Sequence, residues 1–261
     1  MGMKVRSLFL HGFFGGAEDF SEIRRALHDK MPKKGKSFSF EAKSPSLFHP
    51  DCSIRLGSFE EICADLRGDM KPEDTDDLQI VVGYSMGGRI GLELLKRWPK
   101  ALDVLVLVAA HPGLKTSDDK KQRIAFVEKW RKEILGTSQH MTSWKALLDS
   151  WNQLPLFKED SPIQPRRKDL SQSKLALAIE KLGLHQQSFD LDFLRQNQDR
   201  IHGFVGEKDE KYKLLYENLQ SQRALKSLQV VEGAGHRVLQ KGSEDITRFV
   251  LDLLNQKGDV L

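Results

Sequence analysis

The sequence predicts an α/β protein, a parallel sheet wrapped by helices and interrupted once by an inserted helical block. Three observations carry this expectation. Short runs of branched and aromatic residues recur along the chain with helical-period segments between them. One of the strongest runs, Val104 to Val108, is apolar throughout, as a strand covered on both faces is. Between about residues 114 and 193 the strand signal stops, charged helical periodicity replaces it, and strand character then resumes.

Val5 to Leu10 is the first strand and ends at His11-Gly12. Asp19 to Leu27 follows as a helix, with Phe20, Ile23 and Leu27 spaced along one apolar face. Ser37 to Ala42 reads as a weaker strand. Ser58 is placed to cap a helix containing Phe59, Ile62 and Leu66, with Glu61 three residues after it, as a capping box requires. Leu78 to Val82 is a strand that runs into Gly83-Tyr84-Ser85-Met86-Gly87-Gly88 and a helix through Ile90, Leu92, Leu94, Leu95 and Trp98, ended by Pro99. Val104 to Val108 is the next strand. The inserted block, Leu114 to about Phe193, includes helices at Arg123 to Leu135 and Lys174 to Leu182. Strands return at Ile201 to Val205 and Leu228 to Val231, each followed by a helix, the last built on Ile246, Phe249, Val250, Leu253 and Leu254.

The 261 residues leave room for one large domain, or a core with an insertion, and for a sizeable apolar interior. Nine Pro and twenty Gly are ordinary at this length and no repeat is visible, which sets aside collagenous, solenoid and disordered readings. The longest apolar stretch, Val104 to Ala110, falls far short of the ~20 residues of a membrane span. No secretory signal or lipidation site is read at the N-terminus. Cys52 and Cys63 make neither a disulfide framework nor a zinc site, so a reducing cytoplasm is the expected location. The net charge of +4 is too diffuse for nucleic acid: the runs Lys33-Lys34-Gly35-Lys36 and Arg166-Arg167-Lys168 are short and lack interleaved aromatics.

Gly83-Tyr84-Ser85-Met86-Gly87 is a GxSxG sequence between a strand and a helix. Such a turn exposes the hydroxyl of Ser85, packs so closely that glycine is needed on either side, and leaves the Met86 N–H free to stabilise an oxyanion. A serine hydroxyl needs a base, and the base an orienting carboxylate. His236 in the loop Glu232-Gly233-Ala234-Gly235-His236, and Asp209 in Gly206-Glu207-Lys208-Asp209, each follow a strand, giving the chain order Ser, Asp, His. His11-Gly12-Phe13-Phe14-Gly15-Gly16 ends the first strand, and the Phe13 N–H is the expected second oxyanion donor, with His11 bracing the loop. No cluster has metal-ligand spacing and the glycine pattern is neither a dinucleotide nor a phosphate fingerprint, so no cofactor is implied.

With these residues the sequence resembles the α/β-hydrolase superfamily and, within it, the 2-succinyl-6-hydroxy-2,4-cyclohexadiene-1-carboxylate synthases of menaquinone biosynthesis. The resemblance runs over nearly the whole chain. It rests on Leu10-His11-Gly12-Phe13, the elbow followed by Gly88-Arg89, His111-Pro112-Gly113-Leu114, the segment Trp151 to Phe157, Gly206 to Tyr212, and Gly235-His236. It implies a lyase in which the Ser85, His236 and Asp209 triad takes a proton from a cyclohexene ring and pyruvate is eliminated, Ser85 acting directly or through His236. It further implies that Arg89 and Arg123 pair with substrate carboxylates and that Tyr84 and Trp151 line the pocket. Taken alone, Arg89 and Arg123 read as surface helix charges. Asp169 departs from the pattern, standing where a basic residue is expected, and Glu41-Ala42-Lys43-Ser44-Pro45 replaces a common superfamily turn.

The expected architecture is therefore an α/β-hydrolase fold of about six mostly parallel strands flanked by helices, lacking the opening antiparallel hairpin. Residues 1–113 and 194–261 form the core and 114–193 a helical cap. The expected partner is an anionic small molecule, with no nucleic acid and no membrane, and the expected state is a monomer or small homo-oligomer. Two further readings stand beside the lyase: a carboxylesterase or thioesterase acting through an acyl-Ser85 intermediate, and a non-catalytic ligand-binding or scaffolding protein.

Overall fold

The computed structural model describes residues 3–30, 38–73, 75–137, 141–164 and 170–256. The basic run 33–36 and the stretch 166–169, with Asp169, lie outside them. Six strands, β1 (Met3–Leu10), β2 (Phe38–Lys43), β3 (Leu78–Tyr84), β4 (Val104–Val108), β5 (Ile201–Gly206) and β6 (Ser227–Val231), form one sheet in the order β2-β1-β3-β4-β5-β6. Every neighbouring pair is parallel. All residues of β4 and β5 are buried; β4 is accordingly a continuous apolar run, whereas β5 admits His202, whose Nδ1 is hydrogen-bonded to Ser227 Oγ at 2.8 Å.

Among the described residues five α-helices belong to the core: α1 (Ser21–Lys30), α2 (Phe59–Leu66), α3 (Met86–Arg97), α8 (Glu210–Ser221) and α9 (Ser243–Gln256). Ser58 caps α2 by accepting the Glu61 N–H at 3.1 Å. Four more, α4 (Ser117–Gly136), α5 (Met141–Asn152), α6 (Gln172–Lys181) and α7 (Leu191–Gln196), lie between β4 and β5 as the cap. α4 starts six residues before the expected Arg123. The Thr116 hydroxyl accepts the Asp119 N–H at 3.0 Å while Asp119 accepts the Thr116 N–H at 3.3 Å, a capping box at the head of a charged turn. α5 and α7 are additions to the two cap helices expected. α5 nonetheless carries a helical signature, with Trp144, Leu147, Leu148 and Trp151 buried on one face.

Chain enters and leaves the cap side by side. The Leu114 N–H donates to Gln187 O and the Phe189 N–H to Leu114 O, at 3.1 and 3.0 Å. Gly113 makes this pairing possible: its φ of +130° is open to glycine, and a Cβ there would strike the Ser188 backbone. The cap is also stitched to the core by Ser171 N–H to Phe48 O (2.8 Å) and by Lys174 Nζ to the His49 (2.9 Å) and Cys52 carbonyls.

β1 is followed outward by β2, and the chain then returns to β3 on the other side of β1. The strand order thus reverses between β1 and β3, and the crevice outside their C-terminal ends is where an open α/β sheet binds ligands. The loop after β1 and the turn after β3 meet there. Across the sheet, the α8 residue Tyr216 is fully buried and its hydroxyl both donates to Ala110 O and accepts the Ala110 N–H, each at 2.8 Å, tying α8 to the end of β4.

Tyr216→Phe would strand both backbone groups of Ala110 in the interior, at a cost of about 2 kcal/mol. Urea unfolding followed by circular dichroism is expected to show a lowered midpoint with an unchanged denaturant slope.

Candidate active site

Ser85 sits between β3 and α3 with φ +50° and ψ −107°, a conformation that a non-glycine residue holds only when its surroundings impose it. Those surroundings are close. The Ser85 N–H donates to Val108 O at 2.8 Å, and a Cβ on Gly83 would lie 2.5 Å from the Gly88 Cα. A Cβ on Gly87 would collide with the Leu10 carbonyl. The expectation of glycine on either side of Ser85 is met by these contacts. Met86 opens α3, where no upstream helical carbonyl exists to accept its N–H.

Asp209 caps α8, one carboxylate oxygen accepting the Tyr212 N–H at 3.3 Å. The other oxygen accepts from His236 Nδ1 at 2.7 Å, with Asp209 and His236 only 7% and 2% exposed. A short, buried contact of this kind fixes the ring and the tautomer, leaving Nε2 as the nitrogen available for proton transfer. Among the described residues no hydrogen bond joins Ser85 Oγ to His236. Tyr212, to which the sequence assigns no role, places its ring edge-on 4.6 Å from the imidazole centroid.

His11 is fully buried and held from both sides: Nδ1 faces Gly12 O at 2.8 Å and Nε2 accepts the Leu47 N–H at 2.9 Å. These two partners hold it as the neutral Nδ1–H tautomer and shape the loop that presents Phe13 and Phe14, the latter at φ +61°.

One cavity of about 1110 Å³ is lined by all nine residues singled out from the sequence: Phe13, Tyr84, Ser85, Met86, Arg89, Arg123, Trp151, Asp209 and His236. Trp151 is the hub of its aromatic wall, with ring centroids of Phe13, Phe14, Phe126 and Phe157 at 5.3, 5.1, 6.2 and 5.9 Å. Phe126 and Phe157 escaped the sequence reading as site residues, since nothing in their spacing relates them to Trp151 or Ser85.

Arg89 and Arg123 are cavity cations, in contrast to the surface charges that their residue type alone suggests. Arg89 donates to the Leu182 carbonyl, Arg123 lies 4.2 Å from the Phe126 ring centroid, and Arg123 Nε is buried with no hydrogen-bond partner. Neither has a carboxylate within 4.0 Å among the described residues. Burial, reinforced by the charge of Arg123, lowers the Arg89 pKa to about 9, and burial lowers that of Arg123. Both remain cationic at neutral pH. His111 lines the same space as a neutral imidazole, its pKa pushed down to about 4 by burial and by nearby Lys211, Arg89 and Arg123. Among the described residues no three His, Cys, Asp or Glu side chains group as a metal site, and no helix is long and apolar enough to cross a membrane.

A model of the alpha/beta hydrolase family matches residues 8–249. The chain is 23% identical over 262 residues to the 2-succinyl-6-hydroxy-2,4-cyclohexadiene-1-carboxylate synthase of Enterobacter sp. (strain 638), covering 95% of this chain and 90% of that protein. It is 28% identical over 241 residues to a putative synthase of the same name from Bacillus subtilis (strain 168), covering 88% and 82%. Among solved structures it is similar to MenH from S. aureus, with a TM-score of 0.78 and 19% identity over 98% of this chain and 95% of that one. A thermophilic esterase from Thermogutta terrifontis superposes with a TM-score of 0.65 and 18% identity, covering 98% and 91%.

The cavity floor also holds Asp19, whose carboxylate accepts the Gly16 N–H at 3.2 Å and whose burial raises its pKa to about 6. A carboxyl with a raised folded-state pKa adds stability that is full below its unfolded value of 3.8 and is lost as pH rises through about 6. Asp19→Asn is therefore expected to gain stability relative to the parent between pH 4 and 7, with a constant difference above that. Urea titrations of both proteins across this range provide the measurement.

Proposed function

The chain belongs to the alpha/beta hydrolase family, and we propose that it is a lyase of the 2-succinyl-6-hydroxy-2,4-cyclohexadiene-1-carboxylate synthase type, eliminating pyruvate from an anionic cyclohexene substrate. The observation that carries this reading is the pair of guanidiniums, Arg89 and Arg123, that line the same cavity as Ser85 and His236 and have no carboxylate partner among the described residues. Desolvating two cations is unfavourable unless an anion completes the site. A pocket for a neutral ester gains nothing from them, whereas a substrate with several carboxylates pairs with both, bidentately where geometry allows.

In the proposed mechanism the substrate ring lies against Trp151 and Phe13 with its carboxylates toward Arg89 and Arg123. Ser85 takes the ring proton, directly or by relay to His236 Nε2, and the imidazolium so formed is stabilised by the buried Asp209 carboxylate. Charge that develops on the conjugated carboxylate or carbonyl is met by the Phe13 and Met86 N–H groups. The bond from ring carbon to the enolpyruvyl oxygen breaks, and the proton held on His236 is available to the departing group. The cap, proposed to span residues 114–193, supplies Arg123, Trp151 and Phe157 and screens this chemistry from water.

The aromatic wall favours a second reading, a carboxylesterase or thioesterase that passes through acyl-Ser85, because Phe126, Trp151 and Phe157 would also hold an acyl chain. The two readings share the triad and differ in the use of the arginines.

Ser85→Ala is expected to lower turnover on the order of a thousandfold or more while leaving the circular dichroism spectrum intact. Arg89→Ala and Arg123→Ala are each expected to raise KM for the anionic substrate about tenfold or more, with smaller effects on kcat. Pyruvate release measured beside hydrolysis of short p-nitrophenyl esters separates the two reactions: rapid ester cleavage without pyruvate would overturn the lyase reading.

A further inference from the structure

His236 is gripped from two directions, and only one of them is the acid at its Nδ1. The second grip comes from the cap. Asp160, which follows α5, accepts the Arg237 N–H at 3.1 Å, and its carboxylate packs so tightly on Gly235 that a Cβ there would meet Asp160 Oδ1. One cap carboxylate thus touches the residues immediately before and after His236. Arg237 returns the contact. Its guanidinium donates to Ser161 O at 2.7 Å and to Asn152 Oδ1 at 2.6 Å, and lies 4.2 Å from the Phe157 ring centroid. Gln240 completes the clasp, accepting the Ser161 N–H at 3.1 Å and donating to Ser161 O at 2.9 Å. Asn152 is held in turn through both hydrogen bonds to Ile163, at 3.1 and 3.2 Å.

Arg237 is 6% exposed and, among the described residues, has no carboxylate within 4.0 Å of its guanidinium. A cation is buried here to engage neutral cap acceptors and an aromatic ring, an expensive arrangement whose product is the position of one loop. Phe157, under the guanidinium, also places its ring 5.7 Å from the His236 ring.

We propose that Asp160 is a positioning residue for His236, clasping the histidine loop at Gly235 and Arg237 so that docking of the cap and placement of the imidazole are one event. This rests on the reading of His236 as the base. Asp209 orients the ring about its own axis, and Asp160 sets where the backbone delivers it. Among the described residues the buried Asp160 Oδ2 has no hydrogen-bond partner, so the hydrogen bond that matters is accepted by Oδ1, an atom that asparagine supplies equally well. Misplacement of a catalytic group by about 1 Å is enough to cost up to a hundredfold in rate.

The test compares Asp160→Ala, Asp160→Asn and Arg237→Met in the full chain. Turnover is read as pyruvate release or p-nitrophenyl acetate hydrolysis, whichever the parent catalyses, with Ser85→Ala as blank. Asp160→Ala and Arg237→Met are expected to lower kcat about tenfold or more with KM within about twofold, and Asp160→Asn to stay within about threefold of the parent. The low-field proton resonance of the His236–Asp209 hydrogen bond, assigned by its loss in His236→Gln, is expected to shift or broaden in Asp160→Ala and to return in Asp160→Asn. A kcat and a resonance in Asp160→Ala indistinguishable from the parent overturn the proposal, as does a raised KM at unchanged kcat. If Ser85→Ala is as active as the parent, the functional reading fails by itself and the resonance alone decides on positioning. If Asp160→Ala does not fold, Arg237→Met and Gln240→Leu carry the same comparison.

Discussion

The start of α3 must lie against the ends of β1 and β3 at a distance no side chain allows. Gly87 rests on the Leu10 carbonyl and Gly83 on the backbone of Gly87 and Gly88, so the chain can reverse from strand to helix within one residue. That residue is Ser85, and the strain of its positive φ is held by the Val108 carbonyl and by the packing on either side. Because β1 and β3 adjoin at the reversal of strand order, the same approach brings the His11 to Gly16 loop beside the Ser85 turn. The proposed oxyanion donors, the crevice and the serine are therefore consequences of one backbone contact.

Around this floor the charges are arranged by burial more than by pairing. His11 and His111 are neutral, one fixed by two backbone partners and the other pushed down to about 4. Arg89 and Arg123 keep their charge in a confined space and, among the described residues, gain no carboxylate in exchange. This imbalance gives the pocket its character, because a cation without an ion-pair partner among the described residues remains available to a ligand.

How much of this was legible in the sequence follows from the range of the interactions involved. The strands are readable because β3, β4 and β5 are covered on both faces, which favours apolar runs, unbroken in β4 and interrupted by the buried Gln79 in β3 and His202 in β5, and the residues after β1, β3, β5 and β6 then fall at one edge of the sheet by topology alone. The serine turn is readable because its glycines answer local collisions. The start of α4 is hidden because its capping box uses Asp119 in a turn without apolar residues, and α5 is missed although Trp144, Leu147, Leu148 and Trp151 repeat at helical spacing. Contacts between distant segments leave no such mark: Asp160 and Arg237 meet across 77 positions, and Phe126 reaches the segment Trp151 to Phe157 from a different cap helix. Tyr212 is intermediate, since its distance from Asp209 is one helical turn but its contact with His236 needs the β6 loop to be in place.

Asp209 has two oxygens and two tasks, one ending a helix and one holding an imidazole. Selection for a sturdier protein and selection for a faster one consequently act on the same carboxylate, and neither can improve its own geometry without moving the other's. A side chain under such joint tenure has few routes of change, whereas Arg123 and Trp151, mounted on cap helices, carry no second task at the edge of the sheet. Diversification of this scaffold toward other substrates would then be recorded in the cap, with the carboxylate beneath it as the fixed point.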